Sequence, residues 1–87
     1  MTDIRATVRD LIAAHARLNV DAQGLQPSAD LYAAGMSSFA SVQLMLALEE
    51  AFDLEFPERM LNRRSFSSIA SIEAAVNELL SEMAKAS

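Results

Sequence analysis

Cysteine and tryptophan are absent from the 87 residues, and the chain has one histidine, two glycines and two prolines. Without thiols it can form no disulfide, thiolate nucleophile or cysteine-ligated zinc site, and one imidazole leaves histidine-rich metal centres short of ligands. Two glycines cannot build a phosphate-cradling loop. Neither the P-loop pattern, the glycine-rich dinucleotide fingerprint nor the two-histidine zinc helix occurs. Positive charge is scarce as well: seven Lys and Arg against twelve Asp and Glu give a net charge of −5. Such a chain repels a phosphate backbone and anionic lipid, which argues against nucleic acid and membrane partners. The longest apolar run is Leu44 to Leu48, far below the ~20 residues of a membrane span. Met1 to Asp10 lacks the apolar stretch of a signal peptide. The expected compartment is the cytoplasm.

What is present is core material. Hydrophobic residues make up 52% of the chain and charged ones 22%, a balance that folds. Surface scaling predicts roughly 5,000 Å² exposed when folded, against roughly 13,600 Å² for the unfolded chain. That corresponds to one core and a single domain, residues 1–87, expected as a monomer.

Ile4, Val8, Leu11, Ile12 and Leu18 follow helical spacing and predict a first helix over about Thr2 to Leu18. From Asn19 to Ser37 the pattern fails, and Asp21, Gly24, Pro27, Ser28, Asp30 and Gly35 supply turn-formers. A connection this long needs packing of its own, which Leu25, Leu31 and Tyr32 can provide. Ser37 and Ser38 can cap a second helix over Ser38 to Phe52. Its apolar residues nearly encircle it, so it is either central or offers a second apolar face to a partner. Pro57 suits the start of a brief third helix ending near Leu61. Ile69, Ile72, Val76, Leu79, Leu80 and Met83 form one stripe of a last helix over Ser68 to Met83. No span alternates as a strand must. The expectation is all-α: a small four-helix bundle of three long helices and one short one.

Candidates for chemistry are few. His15, late in the first helix, reads first as a half-exposed residue near a helix carboxyl end. The competing reading pairs it with Ser37 or Ser38 as a nucleophile, with Asp30 as orienting acid. Glu49 and Glu50 are neighbours pointing about 100° apart on a helix, so they cannot share a proton as a dyad and read as a solvated face. Ser38 follows Gly35-Met36-Ser37 at the amino end of the most apolar helix, where unbonded N–H groups and the helix dipole favour a bound anion. On position alone, the stronger reading is that Ser37 or Ser38 merely caps the helix.

The run from Asp30 through Ser38 to Leu44, continuing through Glu49-Glu50-Ala51-Phe52 to Glu55-Phe56-Pro57, resembles the acyl carrier protein family. The resemblance covers most of the chain, including the long loop and the Ser-Ile-x-Ser-Ile start of the last helix. It implies that Ser38 carries a covalent 4′-phosphopantetheine, attached by a phosphopantetheinyl transferase, and that the chain itself holds no catalytic group and no metal. Ser37, Ala40 and Gln43 stand where fatty-acid carriers usually have acids, so three carboxylates are missing from the expected docking face. The runs Leu31 to Leu46 and Leu61-Asn62-Arg63-Arg64-Ser65-Phe66 are most similar to small bacterial carriers that accept an amino acid from stand-alone ATP-dependent ligases related to aminoacyl-tRNA synthetases. That similarity implies a thioester cargo passed on to a downstream acyl-accepting enzyme. Met36, Phe39 and Met45 are the candidate apolar contacts for transferase and ligase, with core packing as the competing reading, stronger for Phe39 than for Met36. Ser37 belongs to the same contact region. Arg63 and Arg64 are candidates to meet acids on a ligase or the phosphate of the arm, against a reading as solvated loop charges. The remaining alternatives are a fatty-acyl or polyketide carrier and a cofactor-free helical adaptor.

Overall fold

The computed structural model describes residues 3–86. Three α-helices order the chain: α1 (Ile4–His15), α2 (Ser38–Phe52) and α3 (Ile69–Ala86). Three single 3-10 turns lie between them, at Ala22–Gly24, Glu58–Met60 and Arg64–Phe66, and the described residues contain no strand. The all-α expectation holds, but the short helix expected after Pro57 is the single 3-10 turn Glu58–Met60. After Pro57 only i to i+3 bonds form, Met60 N–H to the Pro57 carbonyl at 2.9 Å and Leu61 N–H to the Glu58 carbonyl at 3.0 Å. Leu61 then leaves helical geometry with ψ 69°, so one tight turn is all that closes.

The other boundaries have local causes. Thr2, the expected start of the first helix, lies outside the described residues. Asp3 caps α1 by accepting from the Ala6 amide. The helix ends at His15, short of Leu18, because Arg17 takes a left-handed φ of 56°. α2 ends with Asp53 likewise left-handed, its N–H bonded to the Glu49 carbonyl. Ser68 precedes α3 and accepts from the Ser71 amide at 3.1 Å, which is why the helix starts one residue later than its pattern suggested.

α1 packs against both α2 and α3, while those two barely meet each other. Val8 and Ile12 are fully buried against Leu44 and Leu48 of α2 and Ile69, Ile72 and Val76 of α3. Leu31, Leu54, Phe56, Met60 and Phe66 complete the core from the connections, and Phe56 and Phe66 meet edge to face at 5.2 Å. Side-chain burial of this extent supplies most of the folding free energy in so small a chain. On the surface, Arg5 pairs with Glu73 at 2.8 Å, and Arg59 reaches Glu82 at 3.0 Å and Glu78 at 3.6 Å. No helix among the described residues is long and apolar enough to cross a membrane.

The long connection is pinned rather than loose. Leu31 is fully buried, with Leu25 and Tyr32 packed against the core, and the Leu31 amide donates to the Ser67 carbonyl at 2.7 Å. Ala70 N–H donates to the Pro27 carbonyl, and Asn19 N–H to that of Ala34, both at 2.9 Å. Gly35 closes this loop with φ +116°, and a Cβ there would stand 2.7 Å from Asn19 Nδ2. Gly35→Ala therefore combines backbone strain with a clash and should lower stability by about 1–3 kcal/mol, read from urea unfolding monitored by circular dichroism.

Candidate functional site

The site is built at the junction of the pinned loop and α2. Asp30 accepts from the amides of Tyr32 and Ala33, folding the chain into the turn that ends at Gly35. Met36 follows with its N–H on the Leu31 carbonyl at 3.0 Å and its side chain only 3% exposed. Ser37 is extended, with φ −81° and ψ 165°, and its Oγ accepts from the Ala40 amide at 3.0 Å. Ser37 is thus the cap, and Ser38 is not. Ser38 is the first residue of α2 and is exposed. Its carbonyl accepts from Ser41 Oγ at 2.7 Å, while its own hydroxyl has no hydrogen bond among the described residues. The amides at this helix end add partial positive charge suited to a phosphate group.

Beside that hydroxyl lies an open groove of about 480 Å³, walled by Ser38, Ser41, Val42 and Met45 from α2 and by Tyr32, Leu61, Asn62, Arg63 and Phe66 from the connections. The Arg63 guanidinium stacks over the Tyr32 ring, 3.9 Å from its centroid. Of the residues singled out in the sequence, the structure gathers Ser38, Met45 and Arg63 here, with Ser37 as the adjoining cap. Arg64 is exposed next in the chain but outside the groove wall.

Two expectations are corrected. Met36 is not a surface contact: its backbone bond to Leu31 turns the side chain into the core. Phe39, for which core packing was the stronger competing reading, is 67% exposed and so free to serve as the apolar contact, because Ala40, Leu44 and Leu48 take the face toward α1 and leave position 39 about 100° away. Ala40 is also 1% exposed, so an acid there would be buried, and only positions 37 and 43 remain surface sites for the missing carboxylates. Glu49 is half-buried and accepts from the Phe56 amide at 2.9 Å, holding the chain after α2, whereas Glu50 is exposed.

His15 lines a different open groove, of about 560 Å³, between α1 and α2 with Leu11, Gln43, Leu46 and Glu50. Its neighbours on α2 begin five residues, ~7.5 Å of helix rise, beyond Ser38, and no hydrogen bond joins it to either serine. The serine–histidine arrangement is therefore not assembled. The sequence reading did not place Ser41, Val42, Leu61, Asn62 and Phe66 at the site. Val42 was reachable by i+4 spacing from Ser38, but Leu61, Asn62 and Phe66 arrive across the fold.

The family model for the phosphopantetheine attachment site matches residues 6–76. The chain belongs to that family. This phosphopantetheine-binding chain is 53% identical over 77 residues to the aminoacyl carrier protein of Agrobacterium fabrum, covering 88% of this chain and 93% of that one. Its fold superposes with a TM-score of 0.84 on the crystal structure of an engineered Bradyrhizobium japonicum glycine:carrier protein ligase complexed with carrier protein from Agrobacterium tumefaciens and ATP. The match has 53% identity and covers 87% of this chain and 99% of that one. A second superposition, with a TM-score of 0.71 and 25% identity over 83% of this chain and 96% of the other, is to the Bradyrhizobium japonicum glycine:carrier protein ligase complexed with glycylated carrier protein.

In the carrier, the Ser37 cap sets the direction in which α2 leaves the loop. Ser37→Ala should cost about 1 kcal/mol and Ser37→Asp should retain the cap, as measured by thermal unfolding of the two variants side by side.

Proposed function

We propose that Ser38 is the attachment point of the 4′-phosphopantetheine arm and that the protein carries an amino acid on it, loaded by a stand-alone ATP-dependent ligase. The observation that carries the assignment is the division of labour between adjacent serines. Ser37 Oγ is committed to the Ala40 amide, whereas the Ser38 hydroxyl is exposed and uncommitted at the amino end of α2. A phosphopantetheinyl transferase can reach it, and the helix terminus then stabilises the negative charge of the phosphodiester. When bound, the arm supplies the terminal thiol, which this sequence lacks, for holding cargo as a thioester.

The chain's own part is to bind and position. Ser38 fixes one end of the arm beside the groove, which raises the effective concentration of cargo at whichever enzyme docks. Phe39 and Met45 offer apolar contact to transferase, ligase and downstream acyl-accepting enzyme, and Ser37 holds the helix end that presents them. No residue of the chain acts as catalyst. The aminoacyl reading is favoured over fatty-acyl or polyketide cargo by the similarity to carriers solved with glycine:carrier protein ligases. In this reading residues 1–87 act as one monomeric carrier domain in the cytoplasm, without membrane or nucleic acid partners.

Co-expression with a phosphopantetheinyl transferase should raise the intact mass by one 4′-phosphopantetheine unit, and Ser38→Ala should abolish the gain. Modification on any other residue would refute the site. Incubating the modified protein with ATP, glycine and the Bradyrhizobium japonicum glycine:carrier protein ligase should add a glycyl group that hydroxylamine removes. Preference for a long-chain fatty acid under a matched acyl ligase would overturn the aminoacyl reading.

A further inference from the structure

The face around Ser38 has a charge distribution unlike that of the whole molecule. Between Ser37 and Leu48 no side chain is charged, although the chain carries a net −5. Along this stretch Phe39, Val42 and Leu46 stand exposed, and Leu61 adds an exposed aliphatic group across the groove. A cluster of outward apolar side chains beside a functional hydroxyl marks a surface built for a partner.

At the Ser38 end the charges bordering it are positive and unneutralised, whereas the acid Glu50 lies beyond Leu46 at the other end. Arg63 lies on the groove wall over Tyr32, and Arg64 is exposed beside it. Neither forms an ion pair among the described residues, whereas Arg59 is already engaged by Glu78 and Glu82. The acid at this end, Asp30, has its carboxylate directed to the amides of Tyr32 and Ala33. The Arg63 guanidinium lies over the Tyr32 ring and its N–H groups have no hydrogen bond among the described residues, which leaves them for a carboxylate, the partner arginine prefers.

Resting on the proposed aminoacyl function, we propose that the loading ligase receives this carrier on an apolar patch bordered by carboxylates. Phe39 and Val42 fill the patch, and Arg63 and Arg64 meet the acids. The polarity is the reverse of an acidic docking helix meeting a basic partner, and it discriminates against transferases and ligases whose docking face is cationic.

The test uses the phosphopantetheinylated chain, ATP, glycine and the Bradyrhizobium japonicum glycine:carrier protein ligase, with initial rates of glycylation measured against carrier concentration. Combined Arg63→Glu and Arg64→Glu should raise KM about tenfold with kcat within about twofold, because two exposed pairs are lost and two repulsions gained. Combined Arg63→Lys and Arg64→Lys, which keep the charge but lose the planar fork, should give a KM between those of the parent and the double reversal, and Phe39→Ala should raise KM by a similar factor to the double reversal. Lys85→Glu, the same change in charge at the far end of α3, should leave KM within about twofold. Arg64→Glu alone preserves the Tyr32 stack and carries the test if the double variant loses its helical circular dichroism. An unchanged or lowered KM on reversal, or an equal rise with Lys85→Glu, overturns the proposal while leaving the aminoacyl function standing. A chain that gains the arm but accepts no glycine overturns the function and this proposal together.

Discussion

Burial of Met36 is the constraint on which the site depends. With that side chain in the core and its amide on the Leu31 carbonyl, the chain enters α2 at one position only. Ser37 then falls at the cap and Ser38 at the first turn facing water. A slip of one residue would exchange their roles and turn the Ser38 hydroxyl toward the amide of the turn above. A hydrophobic anchor thus decides which of two chemically identical side chains is available.

α2 is apolar on two sides for two reasons. Ala40, Leu44 and Leu48 are buried against α1 and fix the helix rotation, while Phe39, Val42 and Leu46 keep about half or more of their surface in water. Holding large apolar groups in water lowers solubility, and a stretch without a single charge from Ser37 to Leu48 adds no repulsion to keep copies apart. Such a surface is tolerated where binding a partner uses it.

Much of this was legible in the sequence. The extent of α2 follows from an uninterrupted apolar pattern behind a serine cap, and the anchoring of the long loop by Leu31 follows from the cost of leaving so long a connection unpacked. The proposed role of Ser38 rests on the ordered motif around it, not on its own position. What was not legible depends on direction and distance. Periodicity shows that α2 is apolar all round but not which residues lose the competition for the core, so Phe39 and Met36 were ranked in the wrong order. The expected short helix became a 3-10 turn because Leu61 breaks away after one turn, a choice that a proline signal does not decide. The approach of Arg63 to Tyr32 joins residues 31 positions apart, beyond the reach of any local pattern.

α1 packs against both α2 and α3, and the connecting segments add the edge-to-face pair Phe56 and Phe66 to the same core. The scaffold is therefore a frame with an interchangeable panel. Substitutions at the exposed positions Leu61, Asn62 and Arg63 can remodel the wall beside the serine without touching the buried side chains that keep the frame upright, which gives carriers of one architecture a route to diverge in cargo and clientele.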